Sequence, residues 1–305
     1  MAGWRTVFFE AGRWRWGWQI GLYGLLLVSA VAALVGPVAW GLMRIGGLPP
    51  LGQPLRGWPA ALSLSLAQVA LYTAVLGVTH LAQRRLRGGR SLVDLGLRLT
   101  WAGLGELALG IGLGALALAV SIGLASLAGW YRVLGPAWDF RPFSELGPAW
   151  LASFINNVQP SLQEEVIFRG YLFAVLEARF NTRTAVAGST VVFALAHLGS
   201  LSDDIPAWAA LLSVGLVGGV LAQAYLARRA LWLPIGLHFA WDWGISLLGS
   251  VGRPPATALL LATEVSGPAI LQGPQGAGGG VFDLAGFALV ALCVAWLAAS
   301  YKAVE

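Results

Sequence analysis

Apolar residues along this chain come in long runs separated by short polar stretches. The alternation of a half-buried strand is missing. The runs cover 18–42, 58–82, 101–129, 161–179, 184–200, 206–227, 231–250 and 282–301. Each predicts a helix, and most are long enough to cross a hydrocarbon layer of ~30 Å. In lipid the backbone must satisfy its own polar groups, which favours helices. The ten-residue alternating segments of a membrane barrel are absent. The expected fold is all-α: a polytopic membrane helical bundle of about eight transmembrane helices.

The fourth run breaks the pattern, because it contains Glu164, Glu165, Arg169 and Glu177. Pro160 suits the first turn of a helix, where a missing N–H is harmless. This predicts a helix start near 160 with both glutamates in its opening turns, where the helix dipole favours carboxylates. The apolar stretch 148–158 reads as an interfacial helix ahead of that span. The fifth run is short, consistent with a tilted or partly buried helix. The Gly-rich stretch 267–280, with Gly273-Pro274-Gln275-Gly276, reads as a loop.

Composition agrees with a membrane location. Apolar residues make up 57% and charged residues 11% of the 305 positions, and mean hydropathy is +0.73. Soluble domains carry roughly 25% charged residues. The isoelectric point near 9.9 invites a nucleic-acid reading, but the basic residues sit mostly in short loops between spans. With the N-terminus in the cytoplasm, the inner segments carry Arg5, Arg13, Arg15, Arg84, Arg85, Arg87, Arg90, Arg98, Arg179, Arg183, Arg228, Arg229 and Lys302. The outer ones carry Arg44, Arg56, Arg132, Arg141 and Arg253. That excess predicts a multi-pass protein of the cell membrane with both termini cytoplasmic. Asp203 and Asp204 fall outside in this layout. Nucleic acid is not expected as a partner. Tryptophans near span ends, such as Trp16, Trp40 and Trp232, suit the membrane interface. The single cysteine, Cys293, cannot form an internal disulfide. The first apolar run is too long for a cleavable signal peptide.

The candidate chemistry lies in three segments. In Glu164-Glu165-Val166-Ile167-Phe168-Arg169, residues 165 and 169 are four apart and share a helix face. Glu164 is turned about 100° away and is left available as a base. Carboxylates are expensive inside a span, about 2.5–3.5 kcal/mol each at its middle, so their presence points to function. The second segment, Phe193-Ala194-Leu195-Ala196-His197, ends the fifth run. In the third, His238-Phe239-Ala240-Trp241-Asp242, the histidine and aspartate are four apart and face one way. The remaining histidine, His80, reads as an interfacial residue.

An acid, two imidazoles and a second acid make a hydrolytic set. A glutamate can take a proton from water, and a histidine can donate hydrogen bonds to a developing oxyanion. The same residues Glu164, His197 and His238 can instead be read as zinc ligands with one open position. These two readings stand side by side at this point. A non-enzymatic reading is also open, in which an immunity factor, scaffold or transporter uses the cluster for binding.

Glu-Glu-x-x-x-Arg, then Phe-x-x-x-His, then His-x-x-x-Asp, one per helix and in that order, resembles the CAAX prenyl protease and bacteriocin-processing family of intramembrane proteases, called CPBP or Abi. The likeness covers about residues 155–247, and the segment 91–98 is similar to a frequent family segment. The resemblance implies an intramembrane endopeptidase that hydrolyses a membrane-associated or prenyl-peptide-like substrate in the bilayer. It implies Glu164 as the catalytic acid-base residue, supported by Glu165 and Arg169. His197 would help to activate water, with His238 and Asp242 on the oxyanion side. Asp242 stands where many relatives have Asn, so it either is protonated, orients His238 or ligates a metal. The family is described both as metal-dependent and as glutamate-type. On this reading the chain divides into N-terminal transmembrane helices (1–147), the CPBP-like catalytic core (148–250), and an outer loop with the last transmembrane helix (251–305).

Overall fold

Each of the eight apolar runs forms a helix in the computed structural model, which describes residues 5–10, 13–45, 57–200, 205–248, 257–272 and 280–302. The helices are α1 (Trp16–Arg44), α2 (Gly57–Leu86), α3 (Trp101–Leu127), α4 (143–179), α5 (Thr182–Ala196), α6 (Ala207–Arg228), α7 (Trp232–Leu248) and α8 (Val281–Lys302). Five of them, α1, α2, α3, α6 and α8, are long and apolar enough to cross a membrane. Helices α5 and α7 are shorter, at 15 and 17 residues, and α4 carries the charges. The protein is an all-α polytopic membrane bundle. Many of its large exposed side chains are apolar, among them Val28, Trp40, Leu292 and Trp296, while Glu165 and Arg169 are fully buried. A chain solvated by lipid distributes its residues in this way.

Local sequence sets several helix ends. Thr100 caps α3 by accepting from the Gly103 N–H at 3.1 Å, and Asn181 caps α5 through the Thr184 N–H at 2.9 Å. Both satisfy a backbone donor that the first turn leaves open. Helix α6 stops at Arg229, which adopts a left-handed conformation with φ 51°. Arg229 then holds both carboxylate oxygens of Glu177 at 2.8–2.9 Å, tying the end of α4 to the α6–α7 turn.

The start of the fourth helix differs from the sequence expectation. Its first segment runs Phe143–Glu164, with Pro148 and Pro160 inside it. The stretch 148–158 is part of this helix and not a separate interfacial one. The chain continues without a break into a π-helical segment, Glu165–Leu172, and then an α-helical end, Phe173–Arg179. Glu164 and Glu165 therefore lie in mid-helix, and the dipole of a helix start does not act on them. Pro160 misled because a proline is compatible with a first turn and, where neighbouring groups take up the freed carbonyl, with the interior of a buried helix.

Helices α3 and α7 pack backbone to backbone. A Cβ on Gly110 would collide with the Leu233 carbonyl oxygen, and one on Gly236 with that of Leu107. Lipid supplies little hydrophobic drive between helices, so close approach through small residues is what holds them. This contact fixes α7 and with it His238 and Asp242. On the other side Tyr23 of α1 stacks on Tyr171 of the π segment at 4.0 Å, and its hydroxyl bonds Thr79 of α2 at 2.9 Å.

Two antiparallel pairs were not predicted. Strands β1 (Phe9–Glu10) and β2 (Arg13–Trp14) pair at the N-terminus. Strands β3 (Tyr131–Pro136) and β4 (Leu261–Val265) pair with a bulge between Val133 and Gly135. The second ribbon caps one end of the bundle. The Tyr131 hydroxyl donates to the Leu248 carbonyl at 2.6 Å, and Trp150 of α4 donates to the Leu259 carbonyl. The stretch 273–276 and Asp203, Asp204, Arg56 and Arg253 lie outside the described residues.

Candidate active site

The π-helical segment places two adjacent carboxylates on different partners. A π turn closes i→i+5 hydrogen bonds and is a recurrent feature of functional sites. Glu165 is fully buried. Its Oε1 accepts from Arg169 Nη1 at 2.8 Å and lies 3.0 Å from His238 Nδ1. Glu164 points toward α5, where its Oε2 is 3.7 Å from His197 Nε2. That oxygen is buried and makes no hydrogen bond.

Each imidazole is oriented by its second nitrogen. His197 Nδ1 lies 2.8 Å from the Phe193 carbonyl oxygen. A carbonyl only accepts, so Nδ1 carries a proton and Nε2 is turned toward Glu164. His238 sits between two carboxylates, with Glu165 on Nδ1 and Asp242 Oδ2 3.3 Å from Nε2. Of the alternatives for Asp242, the contact seen is the one that orients His238. The six residues singled out in the sequence thus meet in one cluster drawn from α4, α5 and α7. The cluster is not sealed: the side chains of Glu164, His197 and Asp242 keep 21–28% of their surface. His80 is exposed on α2.

Gly218, Ser246 and Asn157, which the sequence did not single out, complete the arrangement with Phe193. Arg169 Nη2 donates to the Gly218 carbonyl of α6 at 2.9 Å, and its guanidinium lies 4.2 Å over the Phe193 ring. The same ring is 4.6 Å from the His197 ring and 6.3 Å from that of His238. Phe193 therefore forms the floor shared by both imidazoles and the arginine. Gly218 has to be small, since a Cβ there would press on Phe193 and Arg169. Beyond Asp242, Ser246 donates to the Asp242 backbone carbonyl at 3.1 Å and meets the buried Asn157 of α4 at 3.2 Å. The Gly218-Gly219 pair and the Asn156-Asn157 pair within a largely apolar stretch were the available signals.

The three side chains considered for zinc do not form a zinc set as arranged. Glu164 Oε2 and His197 Nε2 converge, but both nitrogens of His238 face carboxylates. Catalytic zinc takes three protein ligands and a water. Among the described residues no group of three or more His, Cys, Asp or Glu is disposed to hold a metal ion.

Residues 146–244 match the family model of the Rce1-like proteins, type II CAAX prenyl endopeptidases. Over this stretch the helical core is similar to the Rce1-like proteins. It runs from the first turn of α4 through most of α7 and contains all six site residues. The CPBP resemblance read from the three motifs is borne out at this level, since the matched family is one of CAAX prenyl endopeptidases. Helices α1–α3 and α8 lie outside the match and supply packing for it. No curated protein matches the chain.

Proposed function

We propose that the protein is an intramembrane endopeptidase that hydrolyses a peptide bond in a membrane-associated substrate, with a water activated by Glu164 and His197. The observation that carries this reading is Glu164 Oε2, which makes no hydrogen bond and lies 3.7 Å from His197 Nε2. With a neutral His197, the carboxylate oxygen and Nε2 can each take a hydrogen bond from one water molecule, which raises the electron density on its oxygen. That oxygen attacks the scissile carbonyl carbon while one water proton passes to Glu164. The carbonyl π electrons move to oxygen, and the positive charge on His238, held between Glu165 and Asp242, offsets the resulting oxyanion. Glu164 then returns its proton to the departing amine nitrogen as the C–N bond breaks.

Glu165 and Asp242 hold His238 as a donor from both ring nitrogens. Arg169 and the imidazolium offset three carboxylates in a small volume. In this reading the chemistry is of the glutamate type and runs without zinc, because His238 is committed to its carboxylates. The substrate is a peptide held at the bilayer, in keeping with the prenyl endopeptidase match. The five long apolar helices support a site beside lipid, and the arginine excess at one set of helix ends supports cytoplasmic termini.

The test uses purified protein in liposomes with quenched fluorescent peptides, prenylated and unprenylated. Glu164→Gln and His197→Ala are expected to lower the cleavage rate by about 10²–10⁴-fold, the range of general-base catalysis, with unchanged melting. Full activity of purified Glu164→Gln removes that residue from the mechanism.

A further inference from the structure

At the bundle end that carries Arg84 and Arg85, the start of α1, the residues after α2 and the last turns of α4 enclose a cavity of about 470 Å³. Its walls carry four guanidinium groups, Arg15, Arg87, Arg90 and Arg179, against one carboxylate, Glu10. Glu10 is 4.0 Å from Arg15, so it offsets one charge and leaves the others facing the same space.

Arg87 is the most enclosed of the four. Its Nη2 donates to the Ala174 carbonyl at 2.9 Å, while its buried Nη1 has no hydrogen-bond partner. Burial, reinforced by nearby Arg90, pushes this guanidinium down to about 10. A positive group held out of water beside like charges, with a donor unused, is complementary to an anion.

A second cavity of about 520 Å³ adjoins the first and shares Glu10, Arg15, Trp16 and Arg179 with it. Its other walls are Val7, Gly17, Trp18 and Gly21. A Cβ on Gly17 or Gly21 would meet nothing within 4 Å, so this face of α1 is an open apolar groove beside the basic one.

We propose that these paired cavities bind a phosphate anion carried by a lipid, with the phosphoryl group among Arg87, Arg90 and Arg179 and an acyl chain along Gly17 and Gly21. Guanidinium forks match phosphate oxygens, and basic pockets beside membrane helices take anionic headgroups. The adjoining groove favours a lipid over free phosphate, because a soluble anion leaves it unused. Arg179 lies about 20 Å along α4 from Glu165, at 1.5 Å per residue, so this site is separate from the carboxylate–histidine cluster. An occupant would bridge α1, α2 and α4.

The experiment titrates the full chain in detergent with dihexanoyl phosphatidic acid, dihexanoyl phosphatidylcholine and glycerol 3-phosphate. Binding is read by native mass spectrometry and by the shift in melting temperature. Phosphatidic acid is expected to bind at least tenfold more tightly than either of the others. Arg90→Gln/Arg179→Gln, at two exposed positions where folding is not at stake, is expected to weaken it tenfold or more. Arg84→Gln/Arg85→Gln removes equal charge from the same end outside the cavity and is expected to stay within twofold. Equal losses in both double variants overturn the site in favour of diffuse surface charge. Glycerol 3-phosphate binding as tightly as phosphatidic acid overturns the lipid assignment.

Discussion

The Glu165 carboxylate holds His238 through a 3.0 Å contact to Nδ1, and the same oxygen accepts from Arg169 at 2.8 Å. A single buried oxygen thus links the α4 ion pair to the imidazole of α7. Removing the charge strands Arg169, which is fully buried. Breaking one partner of a buried pair costs about 3–5 kcal/mol. Glu165→Gln is expected to lower the melting temperature clearly and to cost activity as well. A melting curve superimposable on that of the unmodified protein refutes the linking role.

Arg169 differs from an ordinary ion-pair partner because it also bonds Gly218 and covers Phe193. A lysine keeps the charge but has no planar fork to serve three partners. Arg169→Lys is expected to cost about 1–3 kcal/mol, the scale of leaving buried polar groups unpaired. Chemical denaturation in mixed micelles measures it, and a loss below a few tenths of that range contradicts the prediction.

Asp242 faces His238 Nε2 at 3.3 Å, and an amide oxygen can accept there too. Asp242→Asn is expected to keep activity within about tenfold. Asp242→Ala is expected to lose about 10–100-fold, as when the outer partner of a functional imidazole is removed. Identical losses in the two variants imply that charge, and not an acceptor at that position, is what matters.

Gly236 lies against the Leu107 carbonyl of α3. Gly236→Ala forces the two backbones apart, at about 1–3 kcal/mol for overpacking, and carries His238 away from Glu165. Cleavage is expected to fall further than stability alone accounts for. Comparing activity with the folded fraction at one temperature separates the two effects. Wild-type turnover per folded molecule rules out the displacement.

Chelators address the metal reading. With His238 committed to Glu165 and Asp242, o-phenanthroline or EDTA is expected to leave peptide cleavage unchanged. Purified active protein is expected to contain far less than one zinc per chain. Inactivation by chelator, reversed by zinc alone, defeats the glutamate-type mechanism.

What the sequence determined by itself was the set of helices and the identity of the polar residues in them. Long apolar runs leave no other structure in lipid, because the backbone has no water to bond. Glu164, Glu165, Arg169, His197, His238 and Asp242 stood out since ionisable groups are costly there. The i,i+4 pairs, 165 with 169 and 238 with 242, follow from helix geometry and are seen in the structure. Tertiary structure alone decided which carboxylate meets which imidazole. The π segment and the unbroken passage through Pro160 set the rotation of Glu164 against Glu165, and no local propensity encodes that rotation. The Gly110–Gly236 contact sets how closely α7 approaches, and the Phe193 and Gly218 contacts to Arg169 span residues far apart in the chain. Such relationships arise from packing between segments, where the deciding quantity is a distance across helices that periodicity along one helix does not contain.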